Sequence, residues 1–296
     1  MASRLAYSAG MTSLSNGRSL VMGILNVTPD SFSDGGRFGG ADEAVARGLE
    51  MVDEGADVVD VGGESTRPGA EPVAEAEELR RVVPVVEALA GRVRVSIDTT
   101  KAAVAQAAVR AGATLVNDVS ASLWPVAADL GVGWVAMHRQ GTPTDMQRAP
   151  RYTDVVAEVG RLLLERLGRA LEAGVAEVWV DPGIGFGKTL HHNTELLGHL
   201  GDLVAEAHAA GAAGVVVGSS RKESMGTLGR PAGAAALAVA DRLEPSLATA
   251  VWAMTQGATM VRVHDVAATV QAATLVGGAG GARPSRPSSS TRGGRG

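Results

Sequence analysis

Along most of the chain, short apolar runs alternate with longer stretches in which apolar positions recur every three or four residues. The short runs are Val21–Leu25, Val58–Val61, Val93–Ile97, Thr114–Val116, Gly133–Ala136, Val178–Val180, Val215–Val217 and Thr259–Val263. Their richness in β-branched residues predicts strands. Between them, Ala41–Glu54, Ala74–Ala90, Ala102–Ala111, Asp154–Ala173, Asn193–Ala210 and Ser246–Gln256 set Ala, Leu and Val opposite charged positions, which predicts helices. Five helical stretches close on Gly55, Gly112, Gly174, Gly211 and Gly257, where a residue tolerant of positive φ ends a helix before the next strand. Eight strands alternating with helices predict an α/β fold, a closed parallel (β/α)8 TIM barrel in a single domain. A doubly wound open sheet is the alternative.

Composition bounds this picture. With 296 residues, 45% of them hydrophobic, the chain can bury one large core. Residues 1–18 read as an N-terminal extension that lacks the basic and apolar regions of a signal peptide. Residues 19–276 read as the barrel, and 277–296 as a flexible Gly/Ser-rich tail with four arginines and no acidic residue. The net charge of −5 and pI near 5.7 argue against nucleic acid or an anionic membrane as partner. No run approaches the roughly 18 apolar residues of a membrane helix. Cysteine is absent, which excludes disulfides and thiolate zinc sites and fits a cytoplasmic protein.

Active sites of such barrels lie at the carboxyl ends of the strands. The first strand is followed by Asn26 and Thr28-Pro29-Asp30-Ser31-Phe32-Ser33-Asp34-Gly35-Gly36, the second by Gly63-Glu64-Ser65-Thr66-Arg67-Pro68-Gly69. The others end in Asp98, Asn117-Asp118, Met137-His138, Asp181-Pro182-Gly183, Ser219-Ser220-Arg221-Lys222, and Arg262 with His264-Asp265. A lone Asp after a strand is commonly a turn or cap. Polar groups at all eight ends form a rim that folding alone does not require. Asp98, Asn117 and Asp181 suit a heterocycle bearing several N–H and carbonyl groups, and Lys222, Arg262 and His264 suit a phosphate-type anion. Gly183–Thr189 resembles a phosphate loop, but the required glycine is replaced by Pro182. His191 and His192 are adjacent, so on a helix they diverge and cannot share a metal.

These segments resemble the signatures of the dihydropteroate synthase family. They are Asn26–Gly36, Gly63–Gly69, Asp181–Lys188, Ser220-Arg221-Lys222 and Arg262–Val266, in family order, and the likeness covers roughly residues 20–275. The resemblance implies a (β/α)8 transferase of folate biosynthesis. Its substrates would be 6-hydroxymethyl-7,8-dihydropterin pyrophosphate and 4-aminobenzoate, with sulfonamides as competitors of the latter. By analogy Asp98, Asn117, Met137, Asp181 and Lys222 would bind the pterin, with Val119 packing nearby, and Asp98, Lys222 and Arg262 would carry catalysis. Asn26 would hold Mg²⁺ on the pyrophosphate, with Arg262 and His264 on the anion itself. Thr28, Asp30, Phe32, Ser33, Thr66, Arg67, Pro68, Phe186 and Ser220 would form the 4-aminobenzoate pocket and its loops. Family members are commonly homodimers, and the apolar helix around Leu247–Met254 is a candidate interface. Two local departures from the family pattern are Ser224-Met225 after Lys222, and Arg139 after His138. A methyltetrahydrofolate-binding methyltransferase domain and a non-catalytic paralogue are the competing readings.

Overall fold

The computed structural model describes residues 17–28, 39–65, 69–228, 230–231 and 234–281. Its strands are β1 (Leu20–Asn26), β2 (Val58–Gly62), β3 (Arg94–Asp98), β4 (Leu115–Asp118), β5 (Gly133–Met137), β6 (Val178–Asp181), β7 (Gly214–Val217) and β8 (Met260–Val263). Each pairs in parallel with the next and β8 returns to β1, which closes the barrel and removes the open-sheet alternative.

Residues two apart on a strand share a face, and the eight strands sort their side chains accordingly. One face points into the barrel, where Met22, Val58, Leu115, Val135, Trp179, Val216 and Met260 pack together. The other meets the helices through Val21, Val59, Val61, Val95, Ile97, Val116, Trp134, Val180 and Val215. Both faces are buried, so the strands read as near-continuous apolar runs rather than as clean alternation. At the amino end of the barrel Arg94 forms a two-pronged ion pair with Glu177, 2.7 and 2.8 Å, and Trp179 donates to the same carboxylate at 2.7 Å.

The helices are α1 (Gly39–Asp53), α2 (Glu75–Leu89), α3 (Ala102–Ala111), α4 (Trp124–Leu130), α5 (Val155–Glu172), α6 (Leu190–Gly198), α7 (Leu200–Ala209), α8 (Glu223–Thr227), α9 (Leu243–Thr255) and α10 (Val266–Gly281). The five glycines expected to end helices all have positive φ, from 90° to 121°. Leu163 and Leu167 of α5 are fully buried against the sheet, worth roughly 1.5–3 kcal/mol each.

Several elements differ from the sequence reading, the short α8 among them. The single helix expected over Asn193–Ala210 is two, broken at His199 (φ −104°, ψ 17°), where Gly198 and Gly201 weaken helix propensity on either side. The short α4 was not expected, because two turns carry too little periodicity to register. The last helix runs through Gly281, five residues into the stretch assigned to the tail. A Cβ on Gly277 would come 3.0 Å from the Gly17 carbonyl oxygen, so this turn lies against the start of the barrel rather than free of it. Among the described residues no helix is long and apolar enough to cross a membrane.

Candidate active site

Strand register decides which polar residues meet. Asn26 lies beside Gly62, Gly62 beside Asp98, and Asp98 beside Asn117, so one layer across four strands carries an amide, a gap, a carboxylate and a second amide. Asp181 lies beside Met137 on the opposite side of the mouth. One step deeper on β2 is Asp60, fully buried between Ile24 and Ser96.

Asp60 organises this layer. Its Oδ2 accepts from Arg262 Nε at 2.6 Å and from Asn117 Nδ2 at 2.8 Å, and Arg262 Nη2 donates to Asp98 Oδ2 at 2.7 Å. Asp60 Oδ1 is buried with no hydrogen-bond partner among the described residues. Arg262 is thus drawn into the barrel mouth between two carboxylates. Burial opposes its cation, but Asp60 and Asp98 overcome that and hold its pKa above the ordinary value. Burial pushes the Asp98 carboxyl up, against the pull of Arg262 and with the help of the Asp60 charge. Burial also raises Asp181, opposed by Lys222 and by the Gly183 N–H, which donates to Oδ1 at 2.7 Å.

Lys222 stands opposite. Its ammonium donates to the Ile184 carbonyl and lies 4.1 Å from the Phe186 ring centroid. Burial draws it down to about 7 while the Asp181 charge opposes; the ring and the carbonyl further favour the cation. Phe186 also packs with Val119, Met137 and Met146, an apolar wall beside the polar layer. Such a wall and layer together suit a flat heterocycle with a polar edge.

At the outer side, Asn26, Arg221, His264 and the first residues of α10 line a cavity of about 540 Å³ with Arg47 and Glu54 of α1. Ser220 Oγ and His264 Nδ1 are 3.0 Å apart. Arg221 holds φ +56°, a conformation costly for a side chain. It is kept there by Asp265, by Ser246 Oγ accepting from its N–H at 2.9 Å, and by Arg242 donating to its carbonyl at 2.9 Å. That turn sets Ser220 and Lys222 to either side of it. Arg47 and Arg221 are each paired with a carboxylate, Glu54 and Asp265, so what this cavity offers an anion is the amino end of α10 together with Asn26 and His264.

A scan against protein families matches the pterin binding enzyme family over residues 22–264. Dihydropteroate synthase of Escherichia coli K12 is 46% identical over 273 residues, 90% of this chain and 93% of that one. The chain belongs to the dihydropteroate synthase family. Among solved structures of the family, dihydropteroate synthase from Yersinia pestis with a sulfonamide drug superposes with a TM-score of 0.81 at 44% identity, covering 91% of this chain and 97% of that one. The enzyme from Xanthomonas albilineans in complex with 7,8-dihydropteroate gives 0.77 at 44% identity, covering 92% and 97%.

Of the residues the family resemblance singled out, the fold brings Asn26, Thr28, Asp98, Asn117, Met137, Asp181, Phe186, Ser220, Lys222, Arg262 and His264 to the carboxyl ends of the strands. Asp30, Phe32, Ser33, Thr66, Arg67 and Pro68 lie outside the described residues. Asp60 was missed. The signal was there: it shares strand parity with Gly62, and in a run of valines one acid facing inward needs a cation, which Arg262 supplies.

Proposed function

We propose that this chain joins 6-hydroxymethyl-7,8-dihydropterin pyrophosphate to 4-aminobenzoate, releasing pyrophosphate and 7,8-dihydropteroate. The observation that carries this reading is the buried array Asn117–Asp60–Arg262–Asp98 facing Lys222 and Asp181. Such an array offers fixed acceptors and donors to the edge of a pterin. Loss of pyrophosphate from the pterin methylene leaves a cation delocalised into the ring. Carboxylate charge at Asp98, preorganised by Arg262, stabilises that cation more than the neutral substrate. The arylamine then adds to the methylene carbon and loses a proton, so the step needs no nucleophilic side chain on the enzyme. Pyrophosphate would be received by His264, Asn26 and the start of α10.

Mg²⁺ fits this site as a metal carried on pyrophosphate. The Asn26 amide faces the anion cavity, and among the described residues no group of three His, Asp or Glu forms a protein cage. That suits an ion bound mainly by substrate oxygens and water, whose chemistry when bound is to neutralise the leaving group. Sulfonamides would occupy the 4-aminobenzoate position against Phe186 and Ser220. We further assign the enzyme to the cytoplasm as a homodimer. Trp252 on α9 is 46% exposed and its indole N–H is already satisfied by the Leu197 carbonyl at 2.8 Å, so its ring would be the apolar centre of such a contact.

The reading is tested by pyrophosphate release from the two substrates; no release above background with purified protein rejects it. Lys222→Ala should weaken binding of a pterin-only ligand about 10–100-fold, the scale of hydrogen bonds to a charged group. Unchanged affinity for both pterin and pyrophosphate in calorimetry would remove Lys222 from the site.

Binding should also be ordered. Pterin groups stand on strand ends, whereas most of the 4-aminobenzoate groups belong to the two loops after β1 and β2. Pyrophosphate held by Asn26 and His264 would supply part of the surface that 4-aminobenzoate contacts, so its binding should follow that of the anion. Titration should show negligible 4-aminobenzoate affinity for the free enzyme and measurable affinity with pterin and Mg²⁺-pyrophosphate present. Equal affinity in both conditions would mean a preformed pocket.

A further inference from the structure

We propose that Lys188 is a positioning residue for the pterin pocket: its buried ammonium clamps the loop after β5 to the loop after β6 and thereby sets where Lys222 and Phe186 stand. The inference rests on the pterin reading above. Lys188 is 3% exposed, and among the described residues no carboxylate pairs with it. Burial and the Lys222 charge draw Lys188 down to about 7, opposed only by the Asp181 charge at a distance; a position that only filled space would favour Met or Leu.

What surrounds Lys188 instead is a convergence of acceptors from two loops. Its Nζ lies 2.9 Å from His138 Nδ1, 3.0 Å from the Gly183 carbonyl oxygen, 3.1 Å from that of Phe186 and 3.4 Å from that of His138. Burial lowers the His138 ring to about 3, so it is neutral and its Nδ1 can accept. The loops touch through backbone at the same place. A Cβ on Gly183 would lie 1.8 Å from the His138 carbonyl oxygen, and one on Gly187 would lie 2.2 Å from that of Gln140. Both glycines also have positive φ, so only glycine permits this approach.

The clamped loop is the one that holds Lys222. Phe186 gives its carbonyl to Lys188 and its ring to Lys222, and Ile184, between the carbonyls that Lys188 grips, accepts from Lys222. A Cβ on Gly185 would meet Lys222 Cδ at 2.8 Å, so the loop leaves the Lys222 stem little lateral freedom. With Lys188 removed, three carbonyls lose their shared donor and the support of the Lys222 ammonium relaxes.

A double-mutant cycle tests this, because residues acting through one another are non-additive. Calorimetry with 6-hydroxymethylpterin would compare wild type, Lys188→Met, Lys222→Met and the double variant, with circular dichroism confirming the fold. Lys188→Met should weaken pterin binding about tenfold, the effect of losing hydrogen bonds to a charged group. The double variant should then bind within about twofold of Lys222→Met alone. Unchanged pterin affinity in Lys188→Met, or losses that add in full, overturns the proposal. Lys188→Gln, which restores two N–H donors, serves if the Met variant does not fold; if neither folds, Lys188 is a stability residue and the proposal falls. Failure of wild type to bind the pterin would instead reject the pterin reading itself.

Discussion

Replacing Asp98 with asparagine should lower turnover about 10²–10³-fold, the cost of deleting one preorganised electrostatic group, while the protein stays folded. An asparagine keeps one oxygen to accept from Arg262 Nη2, so the geometry survives and the negative charge does not. The missing charge is the one that faces the developing pterin cation. Its pH dependence follows the same logic. Burial raises the Asp98 carboxyl, and the ionised form is the active one, so wild-type turnover should fall on acidification above the ordinary carboxylate range. That acid limb should vanish in Asp98→Asn. Steady-state rates across pH check both points. A loss below about threefold, far short of an electrostatic group's contribution, would remove Asp98 from its role.

Asp60→Ala should damage both stability and activity, although Asp60 lies a layer below the strand ends. Alanine leaves Arg262 Nε and Asn117 Nδ2 without their common acceptor in the barrel interior. Breaking a buried ion pair costs about 3–5 kcal/mol, and Arg262 keeps Asp98, which favours the lower end. About 3 kcal/mol corresponds to a fall of roughly 6–12 °C in melting temperature for a chain of this size. Turnover should fall at least about tenfold, since Arg262 and Asn117 lose the group that aims them. Thermal melts and rates measured at a temperature where the variant is folded separate the two effects. A melting temperature within about 2 °C of wild type would show that Arg262 and Asn117 find other partners and that Asp60 does not organise the layer.

The Lys222 and Arg262 assignments show how far the family motifs reach. Both residues stand at strand ends in signature segments, and both arrive at the mouth of the barrel. The motif gave Arg262 an anion to hold, and the fold adds partners that no motif names, Asp60 on its Nε and Asp98 on its Nη2. A motif names a residue type and a place in the chain; partners across the barrel come from closure.

Sequence by itself determined the eight strands, most of the helices between them and the glycines that end those helices, because hydrophobic period and positive-φ tolerance are local properties. It also marked the strand ends as the place to look for chemistry, since Asp, Asn, Lys and Arg gather there in step with the strands. Tertiary structure alone decided that Asp60 reaches Arg262, 202 residues away, and that Lys188 meets His138, 50 residues away. It decided too that the last helix passes Gly17 and Arg18 at Gly277 and continues through Gly281. These pairings depend on strand register and on how closely two loops approach, which no local pattern encodes. A buried charge is tolerable only where closure brings its partners to it.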